Sequence, residues 1–379
     1  MNRSEWSCFS KTFGNREADL LIRSYDTLMG NVYANEGFQW SPYRCISPAM
    51  NEFPGVWNWD SAFHAVGVSR WDTELAKESV LGFLQFQRDD GLLPDVIWEE
   101  GGIVDTFSKP PLFAWATERI YQKDNDLEFL KTVYPKLAFN EKYWVEHRSL
   151  NGLFYYDADN KETDDYLRRV KYESGWDNSP RWDNGITEYW AIDLNCFMVM
   201  TYRSLAFMAK ELGREEEAER WLEKGKKLSE RINQKMWDPE NGYYADTNKL
   251  TEKVSEVLSP ASFMPLYIGI SSAEQAESMR NIAENQFQCK MPTVSFDNEQ
   301  YSNKYWRGPT WLNVAYFAAK GLKNYNFEVA DKIRENILEM CYREKGGIYE
   351  NYDSITGKGL YCDHFSWSCV FLMEFILNF

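Results

Sequence analysis

Three carboxylates and two indoles lie within the eleven residues Glu173-Ser-Gly-Trp-Asp-Asn-Ser-Pro-Arg-Trp-Asp183, a stretch with no apolar periodicity. Apolar neighbours disfavour the charged form of a carboxyl group, which then holds a proton near neutral pH and can donate it. Asp177, between Trp176 and Trp182, is on this ground a candidate general acid. The competing reading is a polar turn whose Asp and Ser cap a helix. Acid chemistry on an acetal calls for a second carboxyl, one protonating the leaving oxygen and the other activating water or attacking the sugar. Glu350, set among aromatic residues in Gly346-Gly-Ile-Tyr-Glu-Asn-Tyr-Asp-Ser-Ile-Thr-Gly357, is the candidate for that role; the bland alternative is a solvated loop glutamate.

Flat aromatic side chains beside such carboxylates suit a sugar. In Trp57-Asn-Trp-Asp60, Trp57 and Trp59 can stack on a pyranose while Asp60 accepts from its hydroxyls, unless Asp60 is simply a helix N-cap. Glu173 and Trp176 flank the candidate acid, and Tyr305-Trp-Arg-Gly-Pro-Thr-Trp311 offers Trp306, Arg307 and Trp311. Arg307 binds substrate, orients a catalytic carboxylate, or serves only as a structural ion-pair partner. A further loop supplies Asp95, Trp98 and Lys109, the last read as a partner of Asp105.

Twelve helical segments must carry these stretches: roughly 16–34, 58–70, 72–88, 110–122, 126–147, 188–212, 215–235, 260–268, 272–286, 306–321, 325–343 and 363–378. Residues 215–235 place apolar side chains at three- and four-residue intervals with charge elsewhere, as an outer helix does, whereas 188–212 and 363–378 are apolar on most sides. Connections of a few residues alternate strictly with long ones, at 35–57, 89–109, 148–187, 236–259, 287–305 and 344–362. Helices running up and down then put every long loop at one end. The pattern predicts an all-α (α/α)6 barrel over 1–379 as a single domain, with short β-hairpins on one rim and the site on that rim. Asp90-Gly91, Asn151-Gly152, Asn241-Gly242 and Gly346-Gly347 each follow a helix, where glycine suits a left-handed stop or tight turn.

Composition narrows the partners. The net charge of −16 argues against nucleic acid and anionic membranes. Seven cysteines without CxxC spacing fit reduced thiols, and with no apolar leader or membrane span the expectation is a cytoplasmic protein. His64, His147 and His364 show no metal-binding pattern, so neither a metal nor a cofactor is expected. Oligomeric state stays open.

The stretches 173–183, Tyr305-Trp-Arg-Gly-Pro309 and Glu350–Gly357, in that order between Asn58-Trp-Asp60 and Phe365-Ser-Trp367, resemble the signatures of glycoside hydrolase family 63, and more distantly the family 37 trehalases. The resemblance implies an (α/α)6 barrel that hydrolyses α-glycosidic bonds with inversion, Asp177 being the acid and Glu350 the base, on a small α-glucoside or α-mannoside. The size is similar to that of compact bacterial members acting on mannosylglycerate or glucosylglycerate, and too small for the extra β domain of the eukaryotic processing glucosidases. Lys109 departs from the glutamine expected in many relatives; it meets an anionic aglycone such as glycerate or, on the favoured reading, only pairs with Asp105. A sugar epimerase on the same barrel, or a non-catalytic carbohydrate-binding protein, is the alternative; the scarcity of histidines weighs against the epimerase.

Overall fold

The computed structural model describes residues 2–33 and 41–379. In chain order the helices are α1 (Arg3–Ser10), α2 (Asn15–Gly30), α3 (Asn58–Val68), α4 (Thr73–Leu84), α5 (Phe113–Asp124), α6 (Leu127–His147), α7 (Tyr166–Ser174), α8 (Ile192–Glu211), α9 (Glu215–Lys235), α10 (Met264–Tyr267), α11 (Ala273–Asn285), α12 (Leu312–Asn324), α13 (Glu328–Arg343) and α14 (Ser366–Leu377). The expected end of the first helix at residue 34 and the start of the 35–57 connection lie outside the described residues.

Helices apolar on all sides can be satisfied only from all sides, and these form the inner wall. Every residue of α3 is buried, as are all but the last of α14. Helices α3, α5, α8, α10, α12 and α14 pack in that order, and α14 closes on α3. By contrast α9 buries only Ala218, Gly225, Leu228 and Ile232, one stripe turned toward α8. The result is an (α/α)6 barrel with alternate helices inside and outside. Aromatic rings fill its axis: Phe63 meets Phe371 edge-on at 4.8 Å, and Trp115 touches Phe63 and Phe317 at 6.2 Å each.

The long connections gather at the N-terminal ends of the inner helices and are trimmed by short antiparallel ribbons. Gly55–Trp57, Val96–Trp98 and Ile103–Val104 make a three-stranded one, and Tyr189–Trp190 pairs with Thr247–Asn248. Of the four Gly motifs, Gly91, Gly152 and Gly242 take positive φ, while Gly346 and Gly347 do not.

Three departures from the sequence expectation have physical causes. Helix α7 lies inside the connection 148–187 because the face it buries, including Arg169, Glu173 and Ser174, is mostly polar and leaves no apolar period to read. The fourth inner helix is reduced to a 3₁₀ turn at Pro260–Phe263 followed by the single turn of α10, with prolines at 260 and 265. Residues 306–311 are not helical in the α sense: a 3₁₀ turn at Tyr305–Arg307 precedes Pro309, and α12 starts at Leu312.

Candidate active site

A cavity of about 510 Å³ opens on the elaborated rim. Four of the six inner helices contribute through their N-terminal ends: Trp59 and Asp60 from the first turn of α3, Lys109 from the approach to α5, Tyr305, Trp306 and Trp311 from the approach to α12, Phe365 and Trp367 from the start of α14. Asp177 enters just after α7, and Glu350 from the loop before α14. Gly175 makes the turn from α7 to Asp177 with φ +73, and a Cβ there would sit 2.4 Å from the Trp59 indole. Only glycine meets both demands.

Desolvation governs the electrostatics. Burial raises the Asp177 carboxyl above the ordinary carboxylate range, opposed by the charge of Lys109. Burial also pushes Glu350 up to about 7, although Tyr305 Oη donates to Glu350 Oε1 at 2.9 Å and so favours the charged form; the Asp177 charge adds to the rise. Asp60, pushed to about 8 by burial, and Asp95, to about 6 by burial against the pull of Lys109, lie in the same chamber. Lys109 Nζ stands 3.2 Å from Asp95 Oδ1 and donates to the Tyr172 carbonyl. Four carboxyl groups thus share one ammonium, and near neutral pH the chamber retains protons available for donation.

The walls are aromatic. Trp306 and Trp311 stack at 3.8 Å with planes 12° apart, Trp311 meets Trp367 at 5.6 Å, and Trp57 meets Trp98 edge-on at 5.1 Å. Such a cleft offers flat apolar faces for sugar C–H groups and carboxylates for hydroxyls. None of the three histidines lines it: His64 is buried on α3 with its imidazole pushed to about 3 by burial, and His364 is exposed beside Asp363. Among the described residues no group of three or more His, Cys, Asp or Glu is arranged to hold a metal ion.

The family model of the mannosylglycerate hydrolase MGH1-like glycoside hydrolase domain matches residues 53–368, which include Asp177, Glu350 and the tryptophans of the cavity. The chain belongs to this family. It is a glycoside hydrolase. Similar relatives are the mannosylglycerate hydrolases of Rubrobacter radiotolerans, 25% identical over 90% of this chain and 95% of the relative, and of Thermus thermophilus, 25% identical over 85% and 94%. A crystal structure of the family 63 mannosylglycerate hydrolase from Thermus thermophilus in complex with glucose superposes with a TM-score of 0.80 at 24% identity, covering 95% of this chain and all of that one. The neutral trehalase of Saccharomyces cerevisiae shares the fold at a TM-score of 0.73 and 18% identity, over 88% of this chain and 73% of that one.

In this hydrolase the cavity brings together Asp177, Glu350, Trp57, Trp59, Asp60, Trp306 and Trp311. Three sequence candidates stand elsewhere. Glu173 is wholly buried outside the cavity, taking Arg148 Nε at 3.2 Å and the backbone N–H groups of Ser108 and Asp157 at 3.2 and 2.7 Å; it ties three segments together beneath the site. Trp176 turns inward against the Arg181 guanidinium at 4.7 Å and Trp306 at 5.0 Å. Arg307 forms a bidentate pair with Asp183 at 2.9 and 2.7 Å and donates to the Asn178 carbonyl, so it braces the Asp177 loop from outside and does not contact the cavity. Lys109 pairs with Asp95 rather than Asp105, because both project inward where only another buried charge can compensate them. Asp60 lies in the first turn of α3, whose cap position is Trp57. Tyr305, not singled out as a site residue, belongs to the site by its bond to Glu350, and Arg168 lines the mouth; the aromatic run around Tyr305 was the one signal available for it.

Proposed function

We propose that this hydrolase cleaves an α-glycosidic bond of glucose or mannose with inversion, Asp177 acting as general acid and Glu350 as general base, and that glycerate conjugates are among its substrates. The observation that carries the reading is that Asp177 and Glu350 open into one aromatic cleft, each with its pKa raised by burial. Asp177 protonates the glycosidic oxygen as the bond to the anomeric carbon breaks. Glu350, with Oε1 held by Tyr305, takes a proton from water while the water oxygen bonds the anomeric carbon from the opposite face. Among the described residues Asp60 has no hydrogen-bond donor other than its own backbone, and it accepts from the hexose hydroxyls.

Glycerate enters from two directions. Several relatives are mannosylglycerate hydrolases by name, and one Thermus thermophilus structure holds Tris and D-glycerate. At the cavity mouth Arg168 is exposed, bound only loosely to Asp165 at 3.4 Å, and free to meet a carboxylate. No helix among the described residues is long and apolar enough to cross a membrane, and all seven cysteines are free, which supports a reducing, cytoplasmic setting.

Proton NMR of the anomer first released from α-glucosides, α-mannosides and their glycerate conjugates tests this. The expected result is a β-hexose, with turnover reduced about 10²–10⁴-fold in Asp177→Asn and in Glu350→Gln. An α-anomer released first would replace inversion by a retaining mechanism. Full turnover in Asp177→Asn would remove the acid from this site.

A further inference from the structure

The end of the barrel opposite the catalytic mouth holds a second cavity, of about 680 Å³, set among the C-terminal parts of α5, α10, α12 and α14 and the middle of α8. Its charged lining is Arg119, Lys123, Arg203 and Lys320 against a single carboxylate, Glu118. This runs against composition, since the chain carries 58 acidic and 42 basic residues. Trp115, Tyr267 and Tyr316 supply aromatic walls.

Arg119 is already engaged, because with Arg70 it binds the buried Glu374. The other three cations make no ion pair among the described residues. Arg203 gives one N–H to the Ile268 carbonyl at 2.5 Å, Lys320 one to the Asn378 carbonyl at 2.8 Å, and Lys123 makes no hydrogen bond to any described residue. Glu118 accepts from Ser204 at 2.6 Å and from Gln122 at 3.3 Å. Carbonyls at helix C-termini favour cations, which accounts for one donor each of Arg203 and Lys320, and Lys320 also faces the Phe379 ring at 5.7 Å; the remaining N–H groups of Arg203 and all of Lys123 have no hydrogen-bond or ion-pair partner among the described residues. Burial lowers Lys123, Arg203 and Lys320 below their ordinary ranges; Arg70 and Arg119 add to this on Lys123 and Lys323 and Arg119 on Lys320, while the buried Glu374 charge opposes it on both lysines.

We propose that this basin binds a phosphate monoester. Three unpaired cations and one carboxylate leave a surplus of about two positive charges, and a phosphate monoester carries about −1.5 to −2 near pH 7 with three acceptor oxygens. The Arg203 fork suits those oxygens, the two ammonium groups supply point charge, and the aromatic walls receive the organic part of the ester. The volume is that of an ordinary small-molecule site. The site is separated from the catalytic cleft by the layer of Phe63, Phe317 and Phe371, and it stands whether or not Asp177 and Glu350 act as proposed above.

Isothermal titration calorimetry of the full chain with phenyl phosphate, at constant ionic strength held by chloride, tests the site. The expected result is one saturable site, absent with phenol, weakened about tenfold or more in the Lys123→Gln/Lys320→Gln double variant and unchanged in Arg168→Gln at the catalytic mouth. Hydrolase activity of the double variant is retained. Without ligand, Lys123→Gln melts no lower than the native chain, because its removal relieves repulsion. No saturable heat, equal affinity in the double variant, or loss of binding in Arg168→Gln would overturn the proposal. So would a lower Tm for Lys123→Gln, which would make that lysine a structural support.

Discussion

Tyr305 carries its hydroxyl to Glu350 from a backbone at φ 53, a left-handed conformation that a bulky aromatic residue keeps only where its surroundings hold it. Trp311 and Tyr361 do so, packing on its ring at 5.0 and 5.1 Å. As a base Glu350 must be ionised, so kcat/KM falls as pH drops through about 7. Tyr305→Phe removes a bond that lowers the Glu350 pKa. The acidic limb of the pH profile is then expected to move to higher pH, and kcat at pH 7 to fall roughly tenfold with KM little changed. A raised KM with an unmoved limb would make Tyr305 a packing residue instead. Asp60 yields a prediction of the opposite kind. Its folded pKa, about 8, lies above the ordinary 3.8, so the folded chain holds a proton that the unfolded chain releases first. The stability this group contributes is full below about pH 4 and is lost as pH rises through 8. Asp60→Asn removes that penalty: at pH 8 the Tm is expected to rise by a few degrees, an advantage that vanishes in melts near pH 4, while substrate binding weakens.

At the scale of elements, the rim depends on polar ties more than on packed apolar faces. Helix α7 is held by Arg169, which donates to the Asp159 and Asn160 carbonyls at 2.8 and 3.0 Å, and its last turn delivers Gly175 and then Asp177 to the cavity. The loop bearing Asp177 is in turn latched to the Tyr305–Arg307 turn: Asn178 Oδ1 accepts the Trp306 N–H at 2.9 Å and Arg307 grips Asp183. This latch joins the elements bearing the acid and the tyrosine that holds the base. Arg307→Met is expected to lower kcat between about tenfold and a hundredfold through misplacement of Asp177. Its melting temperature should barely change, since a partly exposed pair contributes about 1 kcal/mol or less. A large loss of Tm at unchanged kcat would show the latch to be structural alone.

For the whole molecule the decisive tie is Arg181. Its buried guanidinium binds Asp193 in the first turn of α8 at 2.8 Å and Asp246 at 2.9 and 2.7 Å, and lies over the Trp176 and Trp182 rings. It thereby fixes the acid-bearing loop to an inner helix and to Asp246, beside the Thr247–Asn248 strand of the rim. Arg181→Met would strand two buried carboxylates, at an expected cost of about 3–5 kcal/mol, measurable by denaturant unfolding. Replacing all three charges with apolar side chains of similar volume is expected to recover most of that loss, as removal of one partner alone cannot.

The architecture was legible in the sequence because its signals are local. Three- and four-residue apolar spacing marks helices, and the alternation of long with short connections places all the elaborated loops at one end of a closed ring. Asp177, Glu350 and the rim tryptophans were legible for a similar reason, since carboxylates embedded among aromatic residues in unperiodic loops have few structural uses. Which way a loop side chain points is not a local property. Glu173 and Asp177 are four residues apart, yet the left-handed turn at Gly175 sends one beneath the site to Arg148 and the other into the cavity. The same holds for Arg307 on Asp183, Lys109 on Asp95 and Tyr305 on Glu350. Some of those pairings close a single loop and others join separate segments, and in each case it is burial in the folded rim, by removing water from polar groups that then had to find one another, that decided them.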